Sequence, residues 1–359
     1  MINPNTLTCP IFRSKRDAAI TKSIYQRVPV FVNDSQPGNG NPWTIIIRRI
    51  FNMGIPEILA LCDSDQTTKA EERWMPMLES KMMHQFDHRW ARYDGNNTRD
   101  LTDVDKANPN FRIRPRFWIP TTEVIKHLKD IWKYKWLIGW RDITGVTNER
   151  TCVSTILPFL GTDFTIRLGF PSCSDKKSIA LLVSNFNSFI YDYVVRQKLG
   201  GNHLSDYIFK QLPVFPPETY EKHCQWSSNI SLANWLLPYV LELTYTSWDL
   251  KPFGEDMGYH GPPFRWDPER RFLLRCELDA AFFHLYGIDC EDVDYIMDTF
   301  PIVKRKDEQQ HGEYHTKRVI LEMYDDMAQA IRMGQPYSTR LNPPPADPRV
   351  AHPQDKEAS

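Results

Sequence analysis

The sequence predicts an α+β protein, in which a mixed α/β domain is followed by a helical C-terminal domain. Beyond residue 230 the apolar residues recur at the spacing of helices. The 27 prolines, against 16 glycines, limit the length of each element and predict many loops. Short β-branched or aromatic runs bounded by turn residues predict strands at 43–47, 136–140 and 152–157.

The first region, 1–110, is expected to connect short strands by loops. A short helix is predicted over 14–25, because Ser14 can cap it and two isoleucines fall on one of its faces. The strand at 43–47 follows a stretch rich in Pro, Gly and Asn. Residues 94–109 are polar and rich in Asn and Asp, which predicts an exposed loop.

The second region, 111–217, is predicted to mix helices with the strands at 136–140 and 152–157. Residues 122–133 have helical spacing. Residues 179–195 are apolar on most faces, which predicts one buried helix, and the pair of glycines that follows is expected to end it. Residues 212–217 predict an extended exit strand.

The third region, 218–335, is predicted to be helical. Asp267 followed by Pro268 is a strong helix start, because the carboxylate caps the first turn and proline suits the first helical position. Three helices are expected here, over 268–287, 291–299 and 317–333. The tail, 336–359, is polar and Pro-rich and is expected to be disordered.

The charge of the chain is small in total but uneven along its length. The formal net charge is −1, so no global positive field indicates nucleic-acid binding. Residues 1–50 and 111–150 each carry a net charge of +5, whereas residues 251–300 carry −6. This distribution fits a chain that contacts a polyanion on one side, although solvated faces without any partner explain it equally well.

The seven cysteines are scattered and form no Cys-x-x-Cys pair, so neither a zinc site nor a disulfide framework is predicted. Reduced thiols in a cytoplasmic protein are the simplest interpretation. The first residues lack the charged and apolar regions of a signal peptide, and no apolar run is long enough to cross a bilayer. We therefore expect a cytoplasmic chain without a membrane partner.

The run from Lys81 to Tyr93 has the highest density of functional groups in the chain. It holds three cations, two histidines, an amide and three aromatic residues. That density suits a surface that contacts a polar, anionic ligand. The alternative is a half-buried strand whose polar groups are satisfied internally. His84 and His88 are four residues apart, but an extended run would separate them, so no metal site is predicted.

A self-contained active site is not predicted. The sequence has no Gly-rich loop after a strand of the kind that binds S-adenosylmethionine. It also has no Asn-Pro-Pro-aromatic tetrapeptide that would hold a flipped adenine. Glu79 and Lys81, downstream of Asp63 and Asp65, match the carboxylates and lysine of a metal-dependent nuclease only weakly.

Between residues 112 and 150 cations alternate with aromatic residues. Arg112, Arg114 and Arg116 occupy alternate positions, and lysines then interleave with tryptophans. Cations for phosphates together with aromatic faces are typical of proteins that bind nucleic acid. An aromatic core covered by lysine stems is the alternative. Residues 147–151 form a polar turn whose side chains are able to read base edges or to bond their own backbone.

One block joins 12–18 to Tyr25 and 28–30, and a second is 81–93. A third runs from 117–120 through 141–143 and 148–151 to 200–204 and 211–213. These three blocks resemble the C-terminal third of the large type IIG restriction–modification methylases, which are adenine-specific DNA methyltransferases with a TaqI-like specificity region. The acidic helical rear, with 265–271 and 277–280, also resembles the end of such proteins, so the resemblance covers nearly the whole chain.

The resemblance implies that this chain binds duplex DNA and reads a short sequence for a methylase domain. It divides the chain into a connecting region (1–110) that follows a methylase domain absent from this chain, a target-recognition domain (111–217), a helical domain (218–335) and a tail (336–359). In that family the methylase domain holds S-adenosylmethionine and the catalytic motif. No catalytic, cofactor or metal residue is therefore assigned here.

The residues predicted to contact bases or phosphates are Arg141, Asn148 and Arg150. Those expected nearer the DNA backbone and the domain junction are Lys81, His84, Arg89 and Arg112. Two alternatives remain open at this point. In the first alternative, the chain is a non-catalytic subunit that docks on a methylase or nuclease without reading bases. In the second, it is an independent nuclease built on Glu79 and Lys81.

Overall fold

A computed structural model describes residues 2–7, 12–36, 38–62, 73–172, 175–227 and 230–354. Helices and sheets are both present, and the C-terminal part is helical, so the predicted α+β class is confirmed. The described strands are β1 Ile45–Arg48, β2 Trp74–Leu78, β3 Ala91–Asp94, β4 Asn97–Asp100, β5 Trp118–Pro120, β6 Trp136–Arg141, β7 Ser154–Pro158, β8 Gly161–Thr162 and β9 Ile166–Pro171.

The described strands form three small sheets. The largest is antiparallel with the order β1-β9-β6-β7, a second has the order β5-β2-β8, and β3 pairs with β4 in a hairpin. In the second sheet β2 runs antiparallel to β5 and parallel to β8. Because β1 and β2 pair with strands beyond residue 110, the predicted boundary at that residue does not separate two folding units.

Helices surround the sheets and form the C-terminal part. The described helices are α1 Lys15–Arg27, α2 Pro56–Leu61, α3 Asp103–Ala107, α4 Thr121–Leu128, α5 Lys176–Asn187, α6 Phe189–Lys198, α7 Asp206–Phe209, α8 Pro217–Glu221, α9 Leu232–Thr244, α10 Lys251–Asp256, α11 Pro268–Tyr286, α12 Cys290–Asp298, α13 Pro301–His311 and α14 His315–Met333. Short 3₁₀ helices lie at Ser80–Met82, Trp248–Leu250 and Pro348–Val350.

Local capping chemistry explains the helices that the sequence predicts best. The Ser14 hydroxyl accepts a hydrogen bond from the Asp17 backbone N–H at 3.0 Å and starts α1. Asp267 does the same for the Arg270 N–H, also at 3.0 Å, at the start of α11. That helix ends at Gly287, whose φ of 67° is the left-handed conformation that glycine adopts without strain.

Three predictions of local structure are wrong. The single helix expected over 179–195 is two helices, because Ser188 is extended and its hydroxyl accepts the Tyr191 N–H that starts α6. The exposed loop expected over 94–109 contains β4 and α3. Residues 212–217 form only an isolated bridge and the start of α8 rather than a strand.

The tail is ordered as far as residue 354, contrary to the prediction. The Tyr337 hydroxyl donates to Glu277 at 2.8 Å, and Arg340 pairs with Glu322 at 2.7 Å. Ala351 is buried and bridges to Phe264. Polar composition alone predicts disorder, but here partners on the helical domain hold the chain in place. Residues 355–359 lie outside the described part.

The core is rich in aromatic residues. Trp43, Trp136 and Trp140 are fully buried, and the Trp140 ring stacks on Phe209 with 4.0 Å between centroids. Several of the tryptophans that alternate with cations in the sequence are therefore core residues, as the alternative interpretation holds. Among the residues described, none of the helices combines the length and apolar character needed to cross a membrane.

Candidate nucleic-acid interface

The segment 81–93 is neither an open surface nor a strand. It begins in the 3₁₀ helix and joins β3 only at its end. Between them a tight loop forms, in which the backbones of His84 and Asp87 exchange hydrogen bonds of 2.7 and 3.0 Å. Phe86, inside this loop, adopts a φ of 57°, a conformation that costs energy for a residue with a Cβ. The loop is therefore a specifically held structure.

Arg89 holds this loop in place from within. Its side chain is fully buried, and its guanidinium donates to the carbonyls of Asn108, Lys106 and Thr246 at 2.9, 2.9 and 3.0 Å. Lys106 also pairs with Asp87 at 2.8 Å, and both of those side chains are buried. The expectation that Arg89 lies near DNA is thus corrected, because its guanidinium is buried and both of its Nη atoms donate to backbone carbonyls.

Arg150 is also committed to internal contacts. Its Nε donates to the buried carboxylate of Asp192 at 2.8 Å, and an Nη donates to the Asn187 carbonyl at 2.5 Å. The guanidinium lies 3.9 Å above the Phe189 ring. Asp192 also accepts the Thr151 N–H at 3.0 Å. Arg150 therefore attaches the loop after β6 to α5 and α6, which corrects its predicted role as a base contact.

Arg141 and Asn148 differ in exposure. The Arg141 guanidinium bonds the Met83 carbonyl, with 3.1 Å from Nε, and attaches the end of β6 to the loop. Burial lowers the pKa of Arg141 to about 10. Asn148 is exposed at the tip of its turn. Its backbone carbonyl accepts a hydrogen bond from Arg196 at 2.8 Å, which fixes the turn, and its side-chain Nδ2 donates to the Thr144 hydroxyl at 3.5 Å.

Arg112 belongs to a row of three exposed arginines. Arg112, Arg114 and Arg116 are exposed, whereas Ile113 is partly buried and Pro115 is buried. Exposure therefore alternates along this segment, with the three arginines outward and the residues between them turned inward. We call Arg112, Arg114 and Arg116 the arginine row.

The arginine row is supported by the neighbouring β3–β4 hairpin. The Tyr93 N–H in β3 donates to the Arg114 carbonyl at 2.9 Å. Lys81 lies 4.5 Å above the Tyr93 ring and 3.4 Å from Glu79, with about half of its side chain (48%) exposed. Arg99 is exposed on β4. Lys81, which contacts Tyr93 of β3, and Arg99 of β4 are therefore surface cations at the hairpin that contacts the row.

His84 does not share the surface of the arginine row but lines a cavity of about 660 Å³, together with Arg150 and Arg275. Its ring packs against Trp90 with 4.3 Å between centroids. Burial lowers the pKa of His84 to about 3, and the positive charges of Arg141 and Arg275 lower it further. His84 is therefore neutral at physiological pH.

The alternatives based on metal chemistry find little support in the described part. Asp63 and Asp65, which the nuclease pattern requires, lie outside the described residues. Glu79 is occupied by the Tyr93 hydroxyl at 2.6 Å. His88 is buried and bonds Asp249 at 3.0 Å instead of facing a shared site with His84. Within the described ranges no group of three or more His, Cys, Asp or Glu side chains is arranged to hold a metal ion.

The sequence indicated some of these residues but not others. Arg114 and Arg116 were not assigned to the interface, although their alternation with Arg112 was the signal. Asp192 and Arg275 were missed altogether. Asp192 is a charged residue within the apolar first part of α6, a pattern that indicates a buried partner. Arg275 lies in α11 among several other charged residues, so the sequence carries no such signal for it.

Comparison with known proteins adds no assignment. No protein-family model matches the chain. A search of curated proteins likewise finds no significant match. The resemblance to type IIG methylases consequently stays a prediction based on the sequence blocks.

Proposed function

We propose that this chain is the target-recognition portion of a site-specific adenine DNA methyltransferase and that it binds duplex DNA. The observation that carries the proposal is the arginine row: three exposed cations at alternate positions of a segment whose Arg114 carbonyl is bonded to β3. Such an array suits consecutive phosphates, which supply most of the affinity in protein–DNA complexes. Lys81 and Arg99 would extend the contact on either side.

In this proposal the predicted residues divide into two roles. Lys81 and Arg112 contact phosphates, and Asn148 is the candidate for reading a base edge, because the residue is exposed at the tip of a fixed turn and its amide is held only by a long hydrogen bond to Thr144. Arg89, Arg141 and Arg150 do not contact DNA but hold the surrounding loops in position. S-adenosylmethionine and the transfer chemistry belong to a methylase domain or subunit in the cytoplasm, and no residue of this chain is assigned to them.

The salt dependence of DNA binding tests the proposal. Each phosphate that a protein cation neutralises contributes about 0.9 to the slope of log affinity against log salt concentration. Replacing the three arginines of the row by alanine is expected to make the slope shallower by roughly 1 to 3. The matched control replaces three other exposed cations, Lys22, Lys222 and Arg332, and is expected to change the slope little. Equal slopes for both triple variants would refute the role of the row.

A second candidate is a subunit that docks on a methylase or nuclease without reading bases. Two observations favour it. Of the three residues predicted to contact bases or phosphates most directly, Arg141 and Arg150 are used internally. The hairpin beside the row also carries exposed carboxylates at Asp94 and Asp100, which weaken its positive field. This candidate predicts that Asn148→Ala leaves the choice of methylated sequence unchanged in a complete enzyme, whereas target recognition predicts relaxed specificity.

A further inference from the structure

The cavity of about 660 Å³ lies between the 81–93 loop and the helices α11, α13 and α14. A small void of about 10 Å³ adjoins it and shares Gln85, Arg150, Arg275 and Asp279 with its wall. These residues therefore form the inner end of the cavity. The volume is within the range of small-molecule sites, roughly 300–1,000 Å³.

Among the described residues of this wall, Arg275 is a cation without a counter-charge. Its neighbour Arg150 pairs with Asp192, and Lys306 pairs with Glu149. Arg275 forms no hydrogen bond and no ion pair with any residue in the described part of the chain, although it is mostly buried on α11. A buried guanidinium without a partner is costly, and an anion is the ligand that would offset that cost.

The carboxylates of the inner wall do not neutralise the charge of Arg275. The Asp279 carboxylate, one turn further along α11, accepts the Phe189 N–H at 2.6 Å and forms no ion pair with Arg275. Asp307 accepts the Thr316 N–H at 2.6 Å. Both groups are thus engaged with backbone donors at helix starts. The cation is left facing the cavity without a carboxylate against it.

His84 adds a second unused polar group beside Arg275. Its backbone is fixed in the loop, but within the described ranges its imidazole makes no hydrogen bond. The ring is held in place by Trp90 instead. A neutral imidazole offers one donor and one acceptor, and it becomes a double donor when an adjacent anion stabilises its protonated form.

The outer part of the cavity has a flat aromatic wall. The ring of Phe272 stacks on His315 with 5.0 Å between centroids and an angle of 15°. The His311 ring also packs against His315, with 4.4 Å between centroids. A planar ring system of a ligand would find an apolar face here at one end and a cation at the other.

We propose that this cavity binds a nucleotide, with its phosphate on Arg275 and His84 and its base against Phe272 and His315. The proposal does not depend on the DNA-binding function of the arginine row. The shared chemistry is a phosphate monoester on a nucleoside, and its source is either a free mononucleotide or the phosphorylated end of a DNA strand. No chemical step is implied, only binding.

Isothermal titration of the full chain with AMP, adenosine and inorganic phosphate tests the proposal. AMP is expected to bind more tightly than either fragment, because only AMP uses both ends of the cavity. Arg275→Gln is expected to weaken AMP binding at least tenfold, whereas Arg275→Lys retains part of the affinity and the exposed control Arg332→Gln retains all of it. Thermal melts of the variants separate loss of binding from loss of folding.

A measurement on the unmodified chain keeps the test independent of the variants. The imidazole of His84, followed by NMR across pH, is expected to titrate at higher pH when AMP is bound, since the added negative charge favours the imidazolium. A 5′-phosphorylated duplex compared with its unphosphorylated form distinguishes a DNA end from a free nucleotide. Absence of binding by AMP and by the phosphorylated duplex at millimolar concentration would overturn the proposal, as would full affinity in Arg275→Gln.

Discussion

Replacing Arg150 by alanine is expected to destabilise the fold rather than to remove a DNA contact. The residue forms an ion pair with Asp192 in which both side chains are buried. Removing one partner of a buried pair costs roughly 3–5 kcal/mol, because the other charge is left uncompensated. Arg196, with its Nε 3.6 Å from the same carboxylate, partly compensates. We therefore expect a loss at the lower end, about 3 kcal/mol.

Urea unfolding of the wild type and of Arg150→Ala measures this loss directly as a change in the free energy of unfolding. A double-mutant cycle with Asp192→Asn isolates the pair from the packing of the arginine stem on Phe189. In the cycle, Asp192→Asn is expected to lower the free energy of unfolding less in the Arg150→Ala background than in the wild type. In that background the substitution neutralises a carboxylate that has lost its partner.

A free energy of unfolding for Arg150→Ala within about 0.5 kcal/mol of the wild type, the range of ordinary surface substitutions, would refute a structural role for the Arg150–Asp192 pair. If that stable variant also lost DNA affinity with a shallower salt slope, the sequence prediction of a DNA contact would be restored. The internal contacts would then have to open on binding. The two interpretations therefore differ in two independent observables.

Two further predictions concern the helical domain. Glu277→Ala removes the buried carboxylate that accepts from Tyr337 and from the Arg340 N–H, and each such bond is worth roughly 1.5–3 kcal/mol, so limited proteolysis is expected to cut within 336–354 faster than in wild type. Cleavage of the variant within 336–354 at the wild-type rate would show that Glu277 does not anchor the tail. Burial raises the pKa of Asp279 to about 6, so the folded state holds its proton more tightly than the unfolded state, and stability is lost as pH rises from about 4 to 6. Asp279→Asn is expected to remove about 2 kcal/mol of the difference in unfolding free energy between pH 4 and pH 7, and an unchanged difference would contradict the raised pKa.

The sequence predicts those parts of the fold whose causes are local. Ser14 and Asp267 cap helices through backbone groups three residues away, so their chemistry is visible in the sequence itself. The break at Ser188 and the order of the tail are not visible in this way. Tail residues such as Tyr337 find their partner in Glu277, 60 residues earlier in the chain. Composition carries no information about a partner at that distance.

The predicted site residues also differ in whether their contacts are local or distant in the chain. Charged residues in a dense polar run are equally suited to a ligand and to a buried backbone turn, and only distant partners decide between the two. For Arg89 the partner is the Thr246 carbonyl, 157 residues away, and for Arg150 it is Asp192, 42 residues away. For Arg112 the alternation of exposure is local, so the sequence was informative there.

The 81–93 loop connects the proposed nucleotide cavity to the arginine row. On one side Arg89 and His88 attach it to the helical domain through Thr246 and Asp249, and on the other Arg141 attaches it to β6. A ligand in the cavity would contact this loop at His84, and the same chain continues directly into β3, which holds the arginine row. Because buried and hydrogen-bonded segments shift between discrete arrangements rather than deform continuously, occupancy of the cavity is expected to bias the position of the row. Coupling is reciprocal, so DNA on the row would alter nucleotide affinity by the same factor, and equal AMP affinity with and without saturating DNA would exclude such coupling.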